Sequence, residues 1–387
     1  MPLVILSTLA LLLGLLILYW IHNQAQLDIV VQPACPLQPA PLISVCVPAR
    51  NEAHNIRACA EAILLQDFPN FELIVVDDRS SDATPAILDD LAARDAHLKI
   101  VHGSDLPPGW VGKPHALHQA ANAARGDWLC FVDADTLLAP SALGSALVAA
   151  LESEADLFSM LTYQVTVSFW EKVVLPLVMT ALSVGFSPRR VNDPTLPDAI
   201  ANGQFILIKR SAYDAVGGHA QIRDQIVEDK ALAEAVKSAG LKLILANGYL
   251  LARTRMYTSL PQMWEGWTKN IYLGLRDRPS MLILGVFGAT LSAIAALILP
   301  LWAFFGVLWW LRDGSWLGTT VTLEALALWS YLLYLRARVG RAMGLSGWWA
   351  LTATLGAAVF AAMMLSSAWK VLSGTGVTWK GRRYPNS

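Results

Sequence analysis

The sequence predicts an α/β domain built on a mostly parallel mixed sheet with flanking helices, joined to transmembrane helices. Three observations predict it. Between Leu42 and Leu151, short apolar runs alternate with segments of helical period. Two of those runs end in acidic pairs: Leu73 to Val76 in Asp77-Asp78, and Trp128 to Val132 in Asp133-Ala134-Asp135. Long uncharged stretches lie before residue 22 and after residue 280. Of 387 residues, 55% are hydrophobic and 15% charged, with mean hydropathy +0.45. A soluble domain has about 25% charged residues, so part of this chain must leave water.

The elements follow in order. Leu3 to Ile21 is uncharged and of spanning length. No basic segment precedes it and no small-residue cleavage pattern follows, so residues 1–27 are expected to be an uncleaved anchor. The α/β domain is expected over 28–250. Leu42 to Val47 is its first strand. Asn51 to Gln66 then places Ile56, Cys59, Ala60, Ile63 and Leu64 on one helical face. After strand 73–76, Ser80 or Ser81 is expected to cap a helix through Arg94, with Ile87, Leu88 and Leu91 inward. A short strand at 98–101 precedes a helix from Pro114 to Ala124, opened by proline in its first turn. Strand 128–132 completes the alternation.

Val165 to Phe186 is apolar but interrupted by Glu171, Lys172 and Pro176. Trp170, Val173, Val174, Leu177 and Val178 share a face, so 165–186 is expected to lie in a membrane interface; a buried core helix is the alternative. Residues 251–280 form a second interfacial segment, with Arg253, Arg255, Lys269, Arg276 and Arg278 beside Trp264 and Trp267. Three transmembrane helices are expected in 281–372. Met281 to Leu311 suits one tilted or kinked helix around Pro300, Leu317 to Leu335 contains Glu324, and Leu345 to Trp369 follows. A tail occupies 373–387. Arg336, Arg338 and Arg341 place their loop in the cytoplasm, and counting back two spans puts 22–280 there too. The basic tail then falls outside, against the same rule, so either it lies in the interface or one span is re-entrant.

Other classes are disfavoured. A formal net charge of −1 gives no support to a nucleic-acid partner. The four cysteines, at 35, 46, 59 and 130, have neither metal nor redox spacing and read as reduced core thiols of a cytosolic domain.

Ligands of parallel sheets bind beyond the carboxyl ends of the strands. The segment Pro48-Ala49-Arg50-Asn51-Glu52 and the carboxylates Asp77, Asp78, Asp133 and Asp135 all fall there. Residues two apart in a strand point to one side, so Asp133 and Asp135 can meet one ligand. Together they suit Mg²⁺ or Mn²⁺, which prefer oxygen and can stabilise a leaving diphosphate. Asp78 suits a base N–H or a ribose hydroxyl. Lys113 sits at a helix N-terminus, a place that suits phosphate; a solvated surface lysine is the plain alternative. Glu228-Asp229 follows Gly217-Gly218-His219 and opens a helix. Stabilisation by the helix dipole is one account of it; a base for an acceptor hydroxyl is the other.

In this order, VPARNE at 47–52, VVDDRSSD at 75–82, FVDAD at 131–135, GGH at 217–219 and ED at 228–229 resemble the family 2 glycosyltransferases of GT-A fold. That resemblance implies a nucleotide-diphospho-sugar transferase domain. It puts Asp78 on the nucleotide base, Asp135 with Asp133 on the metal, and Asp229, backed by Glu228, as base of an inverting transfer. Ala49, Arg50, Glu52, Lys113 and Asp133 would bind the nucleotide-sugar. WVGKPHAL at 110–117, NGQFILI at 202–208, EGWTKN at 265–270 and VTWKGRRY at 377–384 resemble membrane-bound carotenoid glycosyltransferases. Hopanoid-associated and ceramide glucosyltransferases share the layout. Many membrane members carry Gln-x-x-Arg-Trp after the base; here Trp267 matches the tryptophan, but Gly266 replaces the arginine. Trp264, Trp267 and Lys269 are the expected acceptor or interface residues. The implied enzyme moves one hexose from a UDP-sugar, UDP-glucose first, to a lipid of the bilayer, a carotenoid or other terpenoid before a ceramide or other glycolipid. A polysaccharide synthase and a non-catalytic nucleotide-sugar-binding scaffold are the rival classes.

Overall fold

The computed structural model describes residues 2–24, 26, 29–35, 38–275, 279–314, 316–373, 377–379 and 382–384. Arg276, Arg278, Lys380, Gly381 and residues 385–387 of the expected basic and tail segments lie outside them. The chain forms two compact units, one of residues 27–165 and 188–256, the other of 1–26, 166–187 and 257–387.

The first unit is the α/β domain. Its strands are β1 (Ile43–Ala49), β2 (Phe71–Asp77), β3 (Leu98–His102), β4 (Trp128–Phe131), β5 (Thr136–Leu138), β6 (Leu157–Leu161), β7 (Tyr163–Gln164), β8 (Ile206–Lys209), β9 (Leu243–Asn247) and β10 (Ala252–Thr254). Seven of them form a sheet in the order β3-β2-β1-β4-β8-β6-β9, and β5-β10-β7 form a small second sheet. β1 to β4 run parallel, β8 is antiparallel to both its neighbours, and β6 pairs parallel with β9. The sheet is therefore mixed, with its parallel part formed by the strands that carry the acidic ends.

β1, β2 and β4 are covered on both faces, which is why they read as continuous apolar runs rather than alternating ones. Val45, Val47, Leu73, Val75 and Cys130 share one core with Ile56, Cys59 and Ile63 of the helix Ile56–Leu64 and Leu88 of the helix Thr84–Ala92. A fully buried aliphatic side chain stabilises by about 1.5–3 kcal/mol, so this set fixes the strand order. Cys46, Cys59 and Cys130 are buried free thiols, kept protonated first of all by desolvation. Cys35 is exposed instead, contrary to the expectation of a core thiol.

Two local expectations fail for one reason. The first helix starts at Ile56, not Asn51, and neither Ser80 nor Ser81 caps the second. Those residues lace the loops after β1 and β2 together. Asn51, at φ +52°, donates its N–H to Ser80 Oγ (2.9 Å), and its Oδ1 accepts from Ser81 N (2.8 Å). Glu52 N donates to Thr84 Oγ1 (2.9 Å) and Ala53 N to Asp82 Oδ2 (3.1 Å). Asp82 Oδ1 takes the N–H of Thr84 (3.0 Å) at the start of the second helix. The short polar side chains of both motifs are spent on each other's backbone.

The second unit is helical: Pro2–Gln24, Phe169–Gly185, Leu260–Leu275, Pro279–Asp313, Trp316–Ala342 and Ala353–Leu372, the last preceded by a 3₁₀ turn at Gly347–Thr352; the short helix Pro188–Asn192 belongs to the first unit. Pro279–Asp313 is one 35-residue helix with Pro300 inside it. Among the described residues, three segments are long and apolar enough to cross a membrane: Phe169–Asn192, Ile283–Arg312 and Gly347–Lys370. The first of these covers the stretch expected to lie in a membrane interface, as the helices Phe169–Gly185 and Pro188–Asn192, and the helix Trp316–Ala342 over the expected 317–335 span carries Glu324.

Both irregularities in these helices have partners. Glu324 Oε1 accepts a hydrogen bond from Thr8 Oγ1 at 2.6 Å. Pro176 lacks an N–H and so leaves the carbonyl of Lys172 without its helical donor. Arg336 Nη2 supplies that donor at 2.7 Å. Ser168 and Glu171 close the N-terminus of this helix as a capping box.

Candidate active site

The strand order brings the acidic edge together. Ala49 stands opposite Asp77 across β1 and β2, and Cys46 opposite Phe131 across β1 and β4. Val132 N donates to Cys46 O (3.0 Å) and Asp78 N to Ala49 O (2.8 Å). The acidic ends of β2 and β4 therefore flank the end of β1, on the same side of the sheet.

At this edge four of the sequence-nominated residues converge. Lys113, second residue of the helix Gly112–Ala123, places Nζ 2.7 Å from Asp133 Oδ1 and 2.6 Å from Glu228 Oε1. The helix start is held by Val111 N donating to Arg223 O at 2.7 Å. Glu228 and Asp229 open the helix Glu228–Ser238. Asp229 is held by two backbone donors: Gly203 N to Oδ2 (3.1 Å) and Lys230 N to Oδ1 (2.7 Å). A Cβ on Gly203 would lie 3.2 Å from both Asp229 Oδ2 and Lys113 Nζ, so the Asp229 carboxylate, the Lys113 ammonium and this backbone are in close contact.

The charges decide the division of labour. Burial works against a charged Lys113, but Asp133, Glu228 and Asp229 outweigh it and hold its pKa well above the ordinary lysine value. Asp229 is pushed up to about 6, by burial first and by the neighbouring Glu228 next, against the opposing pull of Lys113 and the two N–H bonds. Glu228 is engaged as the counter-ion of Lys113, and Asp229 is the carboxylate poised to take up a proton near neutral pH.

The other nominated residues are placed as follows. Asp78 is 4% exposed, with Arg50 Nη1 3.5 Å from its Oδ2 and Arg79 Nε 3.7 Å from its Oδ1; Arg50 also donates to the Asp78 carbonyl at 2.9 Å. Burial lowers the pKa of His115, two residues after Lys113 on the same helix, and the Asp78 charge opposes that shift. Ala49 is a core residue, 1% exposed, so its contribution to the edge is its carbonyl rather than its side chain. Glu52 Oε2 accepts from Asn55 Nδ2 at 3.0 Å. The carbonyl of Asp135 accepts from Thr254 Oγ1 at 3.1 Å, tying β4's end to β10. Trp264, Trp267 and Lys269 belong to the helical unit, on Leu260–Leu275. There Trp267 is 4% exposed and packs edge-on against Tyr257 at 6.0 Å between ring centroids. A Cβ at Gly266 would meet the Tyr257 hydroxyl at 2.2 Å, which explains why no arginine stands before this tryptophan.

Among the described residues, no group of three or more His, Cys, Asp or Glu is placed to hold a metal ion unaided. Asp133 and Asp135 offer two carboxylates. That is the donor set with which Mg²⁺-type cations bind through one or two carboxylates and complete their shell with substrate phosphates. The residues fit a cation delivered with a diphosphate.

The glycine-glycine-histidine motif is structural. Gly217 and Gly218 have φ +74° and +52°, and a Cβ at Gly218 would lie 2.4 Å from the Tyr213 ring. The Tyr213 hydroxyl accepts from His219 N (3.0 Å) and lies within hydrogen-bond distance of His219 Nδ1 (2.9 Å). Burial, then Lys113 and His118, lower His219 to about 3, which keeps it neutral. Gly203 stands in the sequence motif NGQFILI without a role read for it, and Tyr213 was not singled out. The Asn202-Gly203 dipeptide ahead of an apolar run was the available signal for a tight turn.

A parallel-dominated sheet whose strands end in acidic pairs is the sheet of a GT-A fold. The mannosyltransferase PcManGT from Pyrobaculum calidifontis, solved in complex with GDP-Man and Mn²⁺, shares the fold: TM-score 0.56 at 20% identity, over 95% of this chain and 97% of that one. Residues 44–217 match the family model described as Glycosyl transferase family 2. Two relatives are 4,4'-diaponeurosporenoate glycosyltransferases of Staphylococcus aureus. That of strain MRSA252 is 28% identical over 351 residues, 88% of each chain. That of strain USA300 is 29% identical over 260 residues, 65% of this chain and 68% of the relative.

Proposed function

We propose that this glycosyltransferase moves a single hexose from a UDP-sugar, UDP-glucose first, to a carboxyl or hydroxyl of a terpenoid lipid in the membrane, with inversion. The observation that carries the reading is the meeting of Asp133, Lys113, Glu228 and Asp229 at one end of the parallel strands. Asp78, with Arg50 and Arg79 beside it, receives the nucleotide. Lys113 faces the diphosphate, and Asp133 and Asp135 hold a divalent cation. When bound, that cation offsets the charge that develops on the leaving diphosphate. Asp229 takes the proton of an acceptor hydroxyl, a contribution of about 10²–10⁴ in rate; an acceptor carboxylate needs only orientation. Glu228 fixes Lys113.

The Staphylococcus relatives, named for a carotenoid acid, support a terpenoid acceptor, and the three long apolar helices support a place in a membrane. A soluble donor and a membrane-borne acceptor require a site at the bilayer surface, which we assign to the cytoplasmic side of a bacterial cell membrane. Arg336, Arg338 and Arg341 favour that side. Trp264, Trp267 and Lys269 are assigned to the acceptor or interface region.

The test uses the purified full chain in nanodiscs with radiolabelled UDP-glucose, GDP-mannose as a second donor, Mg²⁺ or Mn²⁺, and three acceptors: an apocarotenoid acid, a hydroxylated carotenoid and ceramide. A lipid-soluble product carrying one hexose is expected from a terpenoid acceptor. Absence of labelled lipid with every donor and acceptor rejects the reading, and label in a long polymer assigns the chain to polysaccharide synthesis instead.

A further inference from the structure

We propose that Ser159 is a positioning residue for the base, acting through the turn Asn202-Gly203-Gln204. The inference rests on Asp229 as the base and adds to it the device that holds that carboxylate. Ser159 lies in β6, fully buried at 0% exposure, between Ile206 of β8 and Leu245 of β9. A hydroxyl in such a place needs partners, and both of its partners belong to the turn. Ser159 Oγ accepts from Asn202 N at 2.8 Å and donates to Phe205 O at 3.0 Å. Asn202 Nδ2 adds a bond to Met160 O at 2.8 Å, and Phe205 N closes the turn on Asn202 O at 2.9 Å. The turn is thus clamped at both ends to β6.

Its free middle is Gly203, whose N–H donates to Asp229 Oδ2 at 3.1 Å. The second oxygen of Asp229 is held by its own helix, through Lys230 N at 2.7 Å. Gly203 N–H is therefore the donor that reaches the carboxylate from outside its helix and fixes its rotation. The 3.2 Å clearance of a Gly203 Cβ from Asp229 Oδ2 and from Lys113 Nζ leaves no room for the turn to slide forward. Released from Ser159, the turn gains freedom and the carboxylate with it. A misplacement of about 1 Å in a catalytic group costs roughly 10²-fold in rate.

The experiment compares Ser159→Ala, Gly203→Ala and Asp229→Asn in the full chain, with Ser159→Ala also placed on the Asp229→Asn background. Ser159→Ala is expected to lower kcat about ten- to a hundredfold while KM for the UDP-sugar stays within twofold. On the Asp229→Asn background the same change is expected to cost less than twofold more, read by radiolabel accumulation over long incubation. Gly203→Ala, which brings a methyl group 3.2 Å from Asp229 Oδ2 and from Lys113 Nζ, is expected to lower kcat as well. Unchanged kcat in Ser159→Ala overturns the proposal. So does an equal loss with and without Asp229, or a rise in donor KM that parallels the loss in kcat, since either marks general loosening. Full activity of Asp229→Asn is a different result, rejecting the base assignment itself.

Discussion

With Asp229 proposed as the base, acidification is expected to titrate it before any ordinary carboxylate. Burial and the adjacent Glu228 push Asp229 up to about 6, and transfer to a hydroxyl requires its ionised form. The ionised fraction then falls from about nine-tenths at pH 7 to about one-tenth at pH 5. With donor saturating and a hydroxylated acceptor, kcat is expected to drop about tenfold across that range, because the profile of kcat reports groups in the loaded enzyme. A carboxylate at the ordinary value of about 3.9 would change kcat by less than about a tenth over the same range. The assay is lipid-phase radiolabel at fixed ionic strength from pH 5 to 8.5. Lys113→Met gives the second arm. Its ammonium lowers Asp229, and an opposite charge within ~4–6 Å is worth about 1–3 units, so its removal is expected to move the acid limb up by about one unit or more. A kcat flat down to pH 5, or an acid limb that stays or moves down in Lys113→Met, would refute the reasoning.

Three further outcomes follow from the geometry. Treatment with EDTA is expected to abolish transfer, with Mn²⁺ or Mg²⁺ restoring it; full turnover in EDTA contradicts the roles of Asp133 and Asp135. Gly218→Ala drives a Cβ into the Tyr213 ring at a left-handed backbone position and is expected to destabilise by about 2–4 kcal/mol, read as a lower Tm. Arg336→Met leaves the Lys172 carbonyl without a donor, a loss of about 1–3 kcal/mol. In a Pro176→Ala background the backbone N–H returns, so the loss should shrink; equal losses in both backgrounds contradict the pairing of Arg336 with that carbonyl.

The parallel strands were legible because a strand covered on both faces must be apolar throughout, and β1, β2 and β4 are. Their acidic ends were legible because a break from apolar to charged marks where a strand leaves the core. The lacing of Asn51 with Ser80 and Ser81 was not. A serine ahead of a helix is a cap by local rules, and only the pairing of β1 with β2 brings a competing backbone within reach. Pro176 interrupts Phe169–Gly185 and leaves the Lys172 carbonyl without its helical N–H; Arg336 supplies the donor, which local sequence cannot show.

The sequence by itself determined the sheet, its acidic rim and the helix that presents Lys113, because burial and helix-terminal chemistry act over a few neighbouring residues. Tertiary structure decided which carboxylate is free to take a proton. Glu228 and Asp229 are chemically alike and adjacent in the chain; the ammonium of Lys113 engages one, and the N–H of Gly203 aims the other. Ser159 is the extreme case, an unremarkable strand serine whose two hydrogen bonds exist because β6 packs beside a turn more than forty residues away in sequence. Hydrogen bonds of that kind depend on distances that no periodicity encodes.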